Sequence, residues 1–155
     1  LLDIHALDGL VDLMRDNRQK IVFTNGCFDL LHPGHIDYLQ KARNLGDLLI
    51  VAINSDASVR LLKGENRPIY PLSNRMAMLA ALECVDFVVP FDEETPLRLI
   101  QKIVPDVLVK GADYKAEDIV GYNIVNEHGG KVLTIPLLEG HSTSRLIAKL
   151  KNIDT

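Results

Sequence analysis

Two histidines three residues apart, His32 and His35, close the stretch Thr24-Asn25-Gly26-Cys27-Phe28-Asp29-Leu30-Leu31-His32-Pro33-Gly34-His35. Upstream, Lys20 to Thr24 reads as a short buried strand; downstream, Ile36, Leu39, Ala42 and Leu45 recur at helical spacing. The histidines therefore fall at a helix N-terminus, where unpaired backbone N–H groups and the positive end of the dipole favour an anion. Pro33 suits the first helical position, and Gly34 leaves room for a phosphate to approach the backbone. At this spacing both imidazoles project to the same side of the first turn. The chemistry indicated is phosphate binding. A purely structural helix start is the bland alternative. A metal site from Asp29, His32 and His35 is less suited, because metal-binding pairs on a helix are more often four apart. Cys27 reads more readily as a small buried turn residue than as a nucleophile.

Further along, Lys63, Arg67 and Arg75 lie in and after an irregular segment, Lys63 to Leu72, that carries Gly64, Pro68 and Pro71 and reads as a functional loop. They could close over phosphates. Lys110 directly follows a strand, and Ser142, Thr143 and Ser144 open the last helical pattern with hydroxyls and N–H groups able to hold phosphate oxygens. No cluster with metal-ligand spacing appears, so no protein-held metal is assigned.

These residues need a frame. Ile21-Phe23, Leu48-Ile53, Phe87-Val89, Val107-Val109 and Val132-Ile135 are short, β-branched and mostly unalternating, which predicts strands buried on both faces. Helical patterns lie between them: Gly34 to Leu45, Asp56 to Leu62, Asn74 to Leu82, Pro96 to Ile103, a weaker one from Asp118 to Glu127, and Thr143 to Leu150. Ser73, Thr95 and Ser142 suit helix starts. A leading amphipathic helix carries Leu7, Leu10, Val11 and Met14. Alternation of this kind predicts an α/β fold: a Rossmann-like, doubly wound, five-stranded parallel sheet with helices on both faces. Ligands bind such sheets beyond the carboxyl ends of the strands, where the polar, glycine-rich segments fall.

The 155 residues, 47% hydrophobic and 25% charged, fit one domain, with residues 1–19 as a leading helix and 20–151 as a core. A formal charge of -4 argues against a nucleic acid or membrane partner held by a general basic surface. No apolar run reaches the roughly 20 residues of a membrane span. Two distant cysteines suit a reducing compartment, and the chain reads as cytoplasmic. It does not begin with Met, which allows a longer product with another domain upstream.

The pattern G-x-F-D-x-x-H-x-G-H from Gly26 to His35 resembles the signature of the HxGH nucleotidyltransferases, and Gly140-His141-Ser142-Thr143-Ser144-Arg145 resembles their second signature. The usual G-x-x-x-x-G-K-[ST] and G-x-G-x-x-G phosphate loops are absent. Asn54-Ser55-Asp56, Asn66-Arg67-Pro68, Arg75-Met76 and Lys110-Gly111-Ala112-Asp113-Tyr114 narrow the resemblance to the D-glycero-β-D-manno-heptose 1-phosphate adenylyltransferases, in which this domain stands alone or follows a sugar kinase. Glycerol-3-phosphate cytidylyltransferases are the nearest competitor, and a nucleotide-binding sensor is the non-catalytic one. Ala112 stands where the heptose enzymes have glycine, and Leu137 where the glycerol enzymes have arginine.

The resemblance implies AMP transfer from ATP to a sugar 1-phosphate with Mg²⁺, in a homodimer or higher homo-oligomer, for lipopolysaccharide synthesis. It implies catalytic roles for His32, His35, Lys63 and Arg75. Thr24, Asn25, Gly26, Cys27, Phe28, Gly34, Lys110, Gly111, Asp113, Tyr114, Ser142, Thr143 and Ser144 would surround the nucleotide, and Asn54, Asp56 and Arg67 the acceptor.

Overall fold

Strands rich in Val, Ile and Leu need cover on both faces, and the amphipathic segments between them supply it. The computed structural model describes residues 6–138 together with Thr143, Ile147 and Ala148. In chain order these form α1 (Leu7–Asp16), β1 (Ile21–Gly26), α2 (Pro33–Arg43), β2 (Leu48–Asn54), α3 (Asp56–Lys63), α4 (Leu72–Ala80) and β3 (Phe87–Phe91). There follow α5 (Leu97–Ile103), β4 (Val107–Gly111), a 3-10 turn (Ala116–Asp118), α6 (Tyr122–Glu127) and β5 (Lys131–Ile135). The five strands run in the order β3-β2-β1-β4-β5, every neighbouring pair parallel. This is the doubly wound α/β sheet that the alternation predicts. The chain winds outward from β1 to β3, returns to β4 beside β1, and winds outward again. The reversal opens a crevice beyond the carboxyl ends of β1 and β4.

Successive residues of a strand point to opposite faces, and the two cores sort accordingly. Phe23 joins a cluster with Leu7, Val11 and Met14 of α1, Ile100 of α5 and Val125 of α6. Val22 joins Leu39 and Ala42 of α2 and Leu79 of α4 on the other face. Burying each such side chain contributes roughly 1.5–3 kcal/mol.

Three local expectations differ from the structure. Strand β5 is an edge, with Lys131, Leu133 and Thr134 exposed, so it is not buried on both faces. Ser73 does not cap α4; the helix begins at Leu72 with Pro71 in the capping position. The pattern from Asp118 to Glu127 is broken by Gly121, whose φ of 93° only glycine adopts readily. A side chain there would also meet Ile100 Cδ1 at 2.8 Å. The last helical pattern, Thr143 to Leu150, lies largely outside the described residues.

At the opposite end of the sheet from the crevice, three aspartates take up N–H groups in or just before the strands. Asp47 accepts from Lys20 N at 2.6 Å, Asp106 from Ile21 N at 2.8 Å, and Asp86 from Leu49 N at 2.7 Å while pairing with Arg43. The Asp106 bond joins the chain ahead of β4 to the start of β1, the central strand. Asp106→Ala is expected to cost about 1–3 kcal/mol in urea denaturation with nucleotide affinity unchanged, because the lost acceptor leaves a part-buried N–H unpaired.

Candidate functional site

The turn after β1 is shaped by an aromatic ring. Phe28 takes a φ of 46°, a left-handed conformation that bulky residues rarely hold and that concentrates at ligand sites. Its ring meets His35 edge-on, with centroids 5.4 Å apart, and lies where a side chain on Gly26 would stand, 3.0 Å from Phe28 Cε2. His32 caps α2 with extended backbone, and its ring stacks on that of His35 at 3.8 Å, so the imidazoles share one side of the first turn. Burial and the neighbouring His32 push the His35 pKa down to about 4, with the Leu30 carbonyl pulling the other way. His35 is therefore a neutral imidazole at pH 7.

His35 lines a cavity of about 470 Å³ at the carboxyl ends of the strands. Around it stand Asn25 and Gly26 at the end of β1, Cys27 and Phe28 just after it, Asn54 as the last residue of β2, Lys63 at the end of α3, Arg67 in the loop beyond, Lys110 near the end of β4, Tyr114 after it, and Thr143. Three cations thus converge on one space. Lys110 Nζ donates to the Asn25 carbonyl at 3.2 Å and lies 5.6 Å from the Tyr114 ring centre; burial and Lys63 lower its pKa to about 8, against the raising effect of Cys27. Burial pushes the Cys27 thiol up, opposed by Lys63, Arg75, Arg67 and Lys110, which leaves a neutral thiol unsuited to nucleophilic attack. Asn25 Oδ1 is buried and has no hydrogen-bond partner among the described residues. Thr143 donates to the Leu30 carbonyl at 3.3 Å.

Other residues singled out in the sequence hold the site from behind. Arg75 is 1% exposed, and its guanidinium donates to the carbonyls of Tyr70 at 3.0 Å, Cys27 at 2.7 Å and Asn54 at 2.9 Å, and to Asp56 at 2.7 Å. It does not line the cavity. The expectation that it neutralises phosphate is corrected: it clamps the segments after β1, after β2 and before α4. The signal was present, since Arg75 lies on the stripe of Leu72, Met76 and Leu79 that α4 turns to the core. Asp56 is taken up in this pair and does not line the cavity. Thr24 is also withdrawn, fully buried, its hydroxyl donating to the Val109 carbonyl at 3.0 Å and bonded to Tyr38 OH at 2.7 Å. Burial raises the Tyr38 pKa to about 12.

Asp29 accepts from Arg67 Nε at 2.5 Å, from Ile69 N at 2.7 Å and from Tyr70 N at 3.0 Å. Burial opposes ionisation, but the Tyr70 and Ile69 N–H groups and Arg67 together hold its pKa below the usual value. Its carboxylate folds the loop back and sets Arg67 at the cavity wall. His32 faces an adjoining, mostly apolar groove with Leu31, Pro33, Ile36 and Leu138. Gly34 is buried in the first turn of α2, Gly111 packs under Leu137, and exposed Asp113 is outside the cavity lining. Ser142 and Ser144 lie outside the described residues. Ala112 is exposed and avoids positive φ, so its methyl group is accommodated.

Reading the sequence missed Leu62, Glu94, Thr95, Pro96, Asp118, Ile119 and Val120, which complete the wall. In sequence Glu94 looks like an ordinary loop residue, Leu62 closes a helical pattern, and the others read as the beginnings of such patterns. Among the described residues, no group of three or more His, Cys, Asp or Glu is placed to hold a metal ion.

Arg75→Met is expected to destabilise the fold by on the order of 3 kcal/mol or more in urea denaturation, since one buried carbonyl, two part-buried ones and Asp56 lose their donors. An Arg75 that served phosphate alone would leave stability nearly unchanged. For His35, the folded pKa of about 4 lies below the ordinary histidine value of 6.5, so the unfolded chain binds the proton more readily. Its contribution to stability is complete above about pH 6.5 and is lost as pH falls toward 4. Thermal melts across that window are expected to show a shallower acid loss in His35→Gln than in the parent.

The geometry agrees with comparisons to known proteins. Residues 23–149 match the cytidylyltransferase-like family model. The chain is 53% identical over 152 residues to the bifunctional protein HldE of Hydrogenovibrio crunogenus, covering 98% of this chain and 31% of that protein. It is 56% identical over 147 residues to HldE of Halorhodospira halophila, covering 93% and 31%. The chain thus spans about a third of the length of these relatives. A lipopolysaccharide core biosynthesis protein from Thermoplasma volcanium GSS1 superposes with a TM-score of 0.67 at 28% identity, over 78% of this chain and 99% of that one. A pantoate-beta-alanine ligase from Francisella tularensis shares the fold alone, with a TM-score of 0.56 at 17% identity over 94% of this chain and 75% of that one. With the HxGH signature leading into a cationic cavity at the switch point of the sheet, and with the family model matched over most of its length, this chain belongs to the cytidylyltransferase-like family of nucleotidyltransferases.

Proposed function

We propose that this chain transfers AMP from ATP to D-glycero-β-D-manno-heptose 1-phosphate, releasing pyrophosphate and forming ADP-heptose for lipopolysaccharide. The observation that carries the reading is the convergence of Lys63, Arg67, Lys110 and His35 on one cavity beside the β1–β4 crevice. The HldE relatives and the lipopolysaccharide core protein support the choice of acceptor.

The reaction needs no general base. A phosphate oxygen of the acceptor, already anionic at neutral pH, attacks the α-phosphorus of the nucleotide; the bond to the β-phosphate oxygen breaks and its electron pair leaves with pyrophosphate. The protein's task is alignment and stabilisation of charge. His35, neutral at rest, donates an N–H to a phosphate oxygen, and His32, stacked on it, lies at the phosphate end of α2. Lys110 and the backbone after β1 hold the nucleotide phosphates, with Thr143 at the β and γ groups; its sequence neighbours Ser142 and Ser144 are assigned the same role from the second signature alone. Lys63 and Arg67 hold the acceptor phosphate. Exposed Tyr114 offers a face to the base.

Nucleotidyltransferases of this kind generally use a divalent metal with the nucleotide. The donor set fits a cation carried on the phosphates, since Asp29 is occupied by Arg67 and backbone N–H groups. Mg²⁺ would supply charge neutralisation there.

Pyrophosphate release with Mg-ATP and heptose 1-phosphate, compared with CTP and glycerol 3-phosphate, tests the reading. Turnover with the first pair alone is the expected result; turnover with CTP and glycerol phosphate alone overturns it in favour of cytidylyl transfer. His35→Ala is expected to lower kcat on the order of a hundredfold without loss of folding. Near-normal turnover would remove His35 from the reaction.

A further inference from the structure

The loop between β3 and α5 reaches the cavity yet has no part in the chemistry described above. Glu94 and Thr95 line the space shared with Lys63 and Arg67. A buried polar chain fixes their approach. Asn54 Nδ2 donates to Ser58 Oγ at 3.0 Å, Ser58 Oγ donates to the Glu93 carbonyl at 3.1 Å, and Ser55 N donates to the Phe91 carbonyl at 2.9 Å. Asn54 and Ser58 are 3% and 1% exposed, so the loop is anchored to the core. Glu93 is occupied by Arg98 at 2.9 Å. The next two side chains differ: the Glu94 carboxylate and the Thr95 hydroxyl have no hydrogen bond or ion pair among the described residues.

An unpaired carboxylate beside an anion site is selective. It repels a second phosphate and gains nothing from an apolar group, but it accepts hydrogen bonds from hydroxyls. Thr95 adds a group that can donate or accept. The crevice between β1 and β4 takes the nucleotide, with the cavity's other missed carboxylate, Asp118, beyond β4. The half beyond β2 and β3 remains for the acceptor. We infer that Glu94 and Thr95 read the hydroxyls of the acceptor's sugar while Lys63 and Arg67 hold its phosphate; this rests on the nucleotidyl-transfer reading above. The acceptor class is accordingly a polyhydroxylated monophosphate with no second charged group on its carbon skeleton.

Steady-state pyrophosphate release from Mg-ATP, with heptose 1-phosphate varied, tests this in the parent, Glu94→Ala, Glu94→Gln and Thr95→Val. Glu94→Ala is expected to raise the acceptor KM about tenfold, with the KM for ATP and the melting temperature unchanged. Glu94→Gln keeps a hydrogen-bonding oxygen and is expected to lie between the two. Thr95→Val is expected to raise the acceptor KM severalfold. An unchanged or lowered acceptor KM in Glu94→Ala overturns the inference, and so does an equal rise in the KM for ATP. If the parent itself turns over no sugar 1-phosphate, the nucleotidyl-transfer reading falls and takes this inference with it.

Discussion

The site is assembled around one buried guanidinium. Arg75 reaches across from α4 and bonds the carbonyls at the ends of two strand loops, the carbonyl at the foot of its own loop, and the carboxylate that opens α3. Burying a charge is costly unless every donor finds a partner, and here the planar fork of Arg meets four acceptors in directions that a lysine could not match. Segments distant in the chain are thereby fixed relative to one another. Asp29 extends the same arrangement outward: it draws Ile69 and Tyr70 inward by their N–H groups and directs Arg67 along the cavity. The buried arginine sets the frame, and the partly covered one is left to meet the ligand.

Charge is distributed unevenly over the molecule. The net charge is -4, yet Lys63, Arg67 and Lys110 meet in one cleft, while Asp47, Asp86 and Asp106 bind N–H groups at the far end of the sheet. A concave, cationic patch in an otherwise acidic protein focuses its field on small anions without attracting polyanions in general. The lowered Lys110 pKa has the same origin, since burial beside another cation disfavours its charge until an anion arrives.

Much of this was legible in the sequence, for identifiable reasons. The strands announced themselves because parallel strands are buried on both faces and read as continuous β-branched runs; β5 departs from the rule, with Lys131, Leu133 and Thr134 exposed. His35 and Lys110 line the cavity from polar segments read at the strand ends, and Lys63 and Arg67 line it from the irregular loop. The division of labour between Arg67 and Arg75 was not legible, because residue type does not say which guanidinium turns inward. Only the apolar stripe of α4 hinted at it. Thr24 misled in the same way: a hydroxyl just ahead of a glycine-rich turn resembles a ligand group, but this one bonds Val109 and Tyr38 in the core. Glu94 and Thr95 gave no signal, since their placement depends on a crossover between distant segments.

The strand order also constrains how the molecule comes into being. Strand β1 pairs with β2 only 22 residues after its own end, but its other edge waits for β4, which begins at Val107. During synthesis the half-sheet β3-β2-β1 must carry an open edge of unpaired N–H and C=O groups, and parallel pairing across such separations is intrinsically slow. The cleft lies on that seam. It is completed only when the two halves join, so the emerging chain exposes its most adhesive edge at the place where it will later bind its ligands.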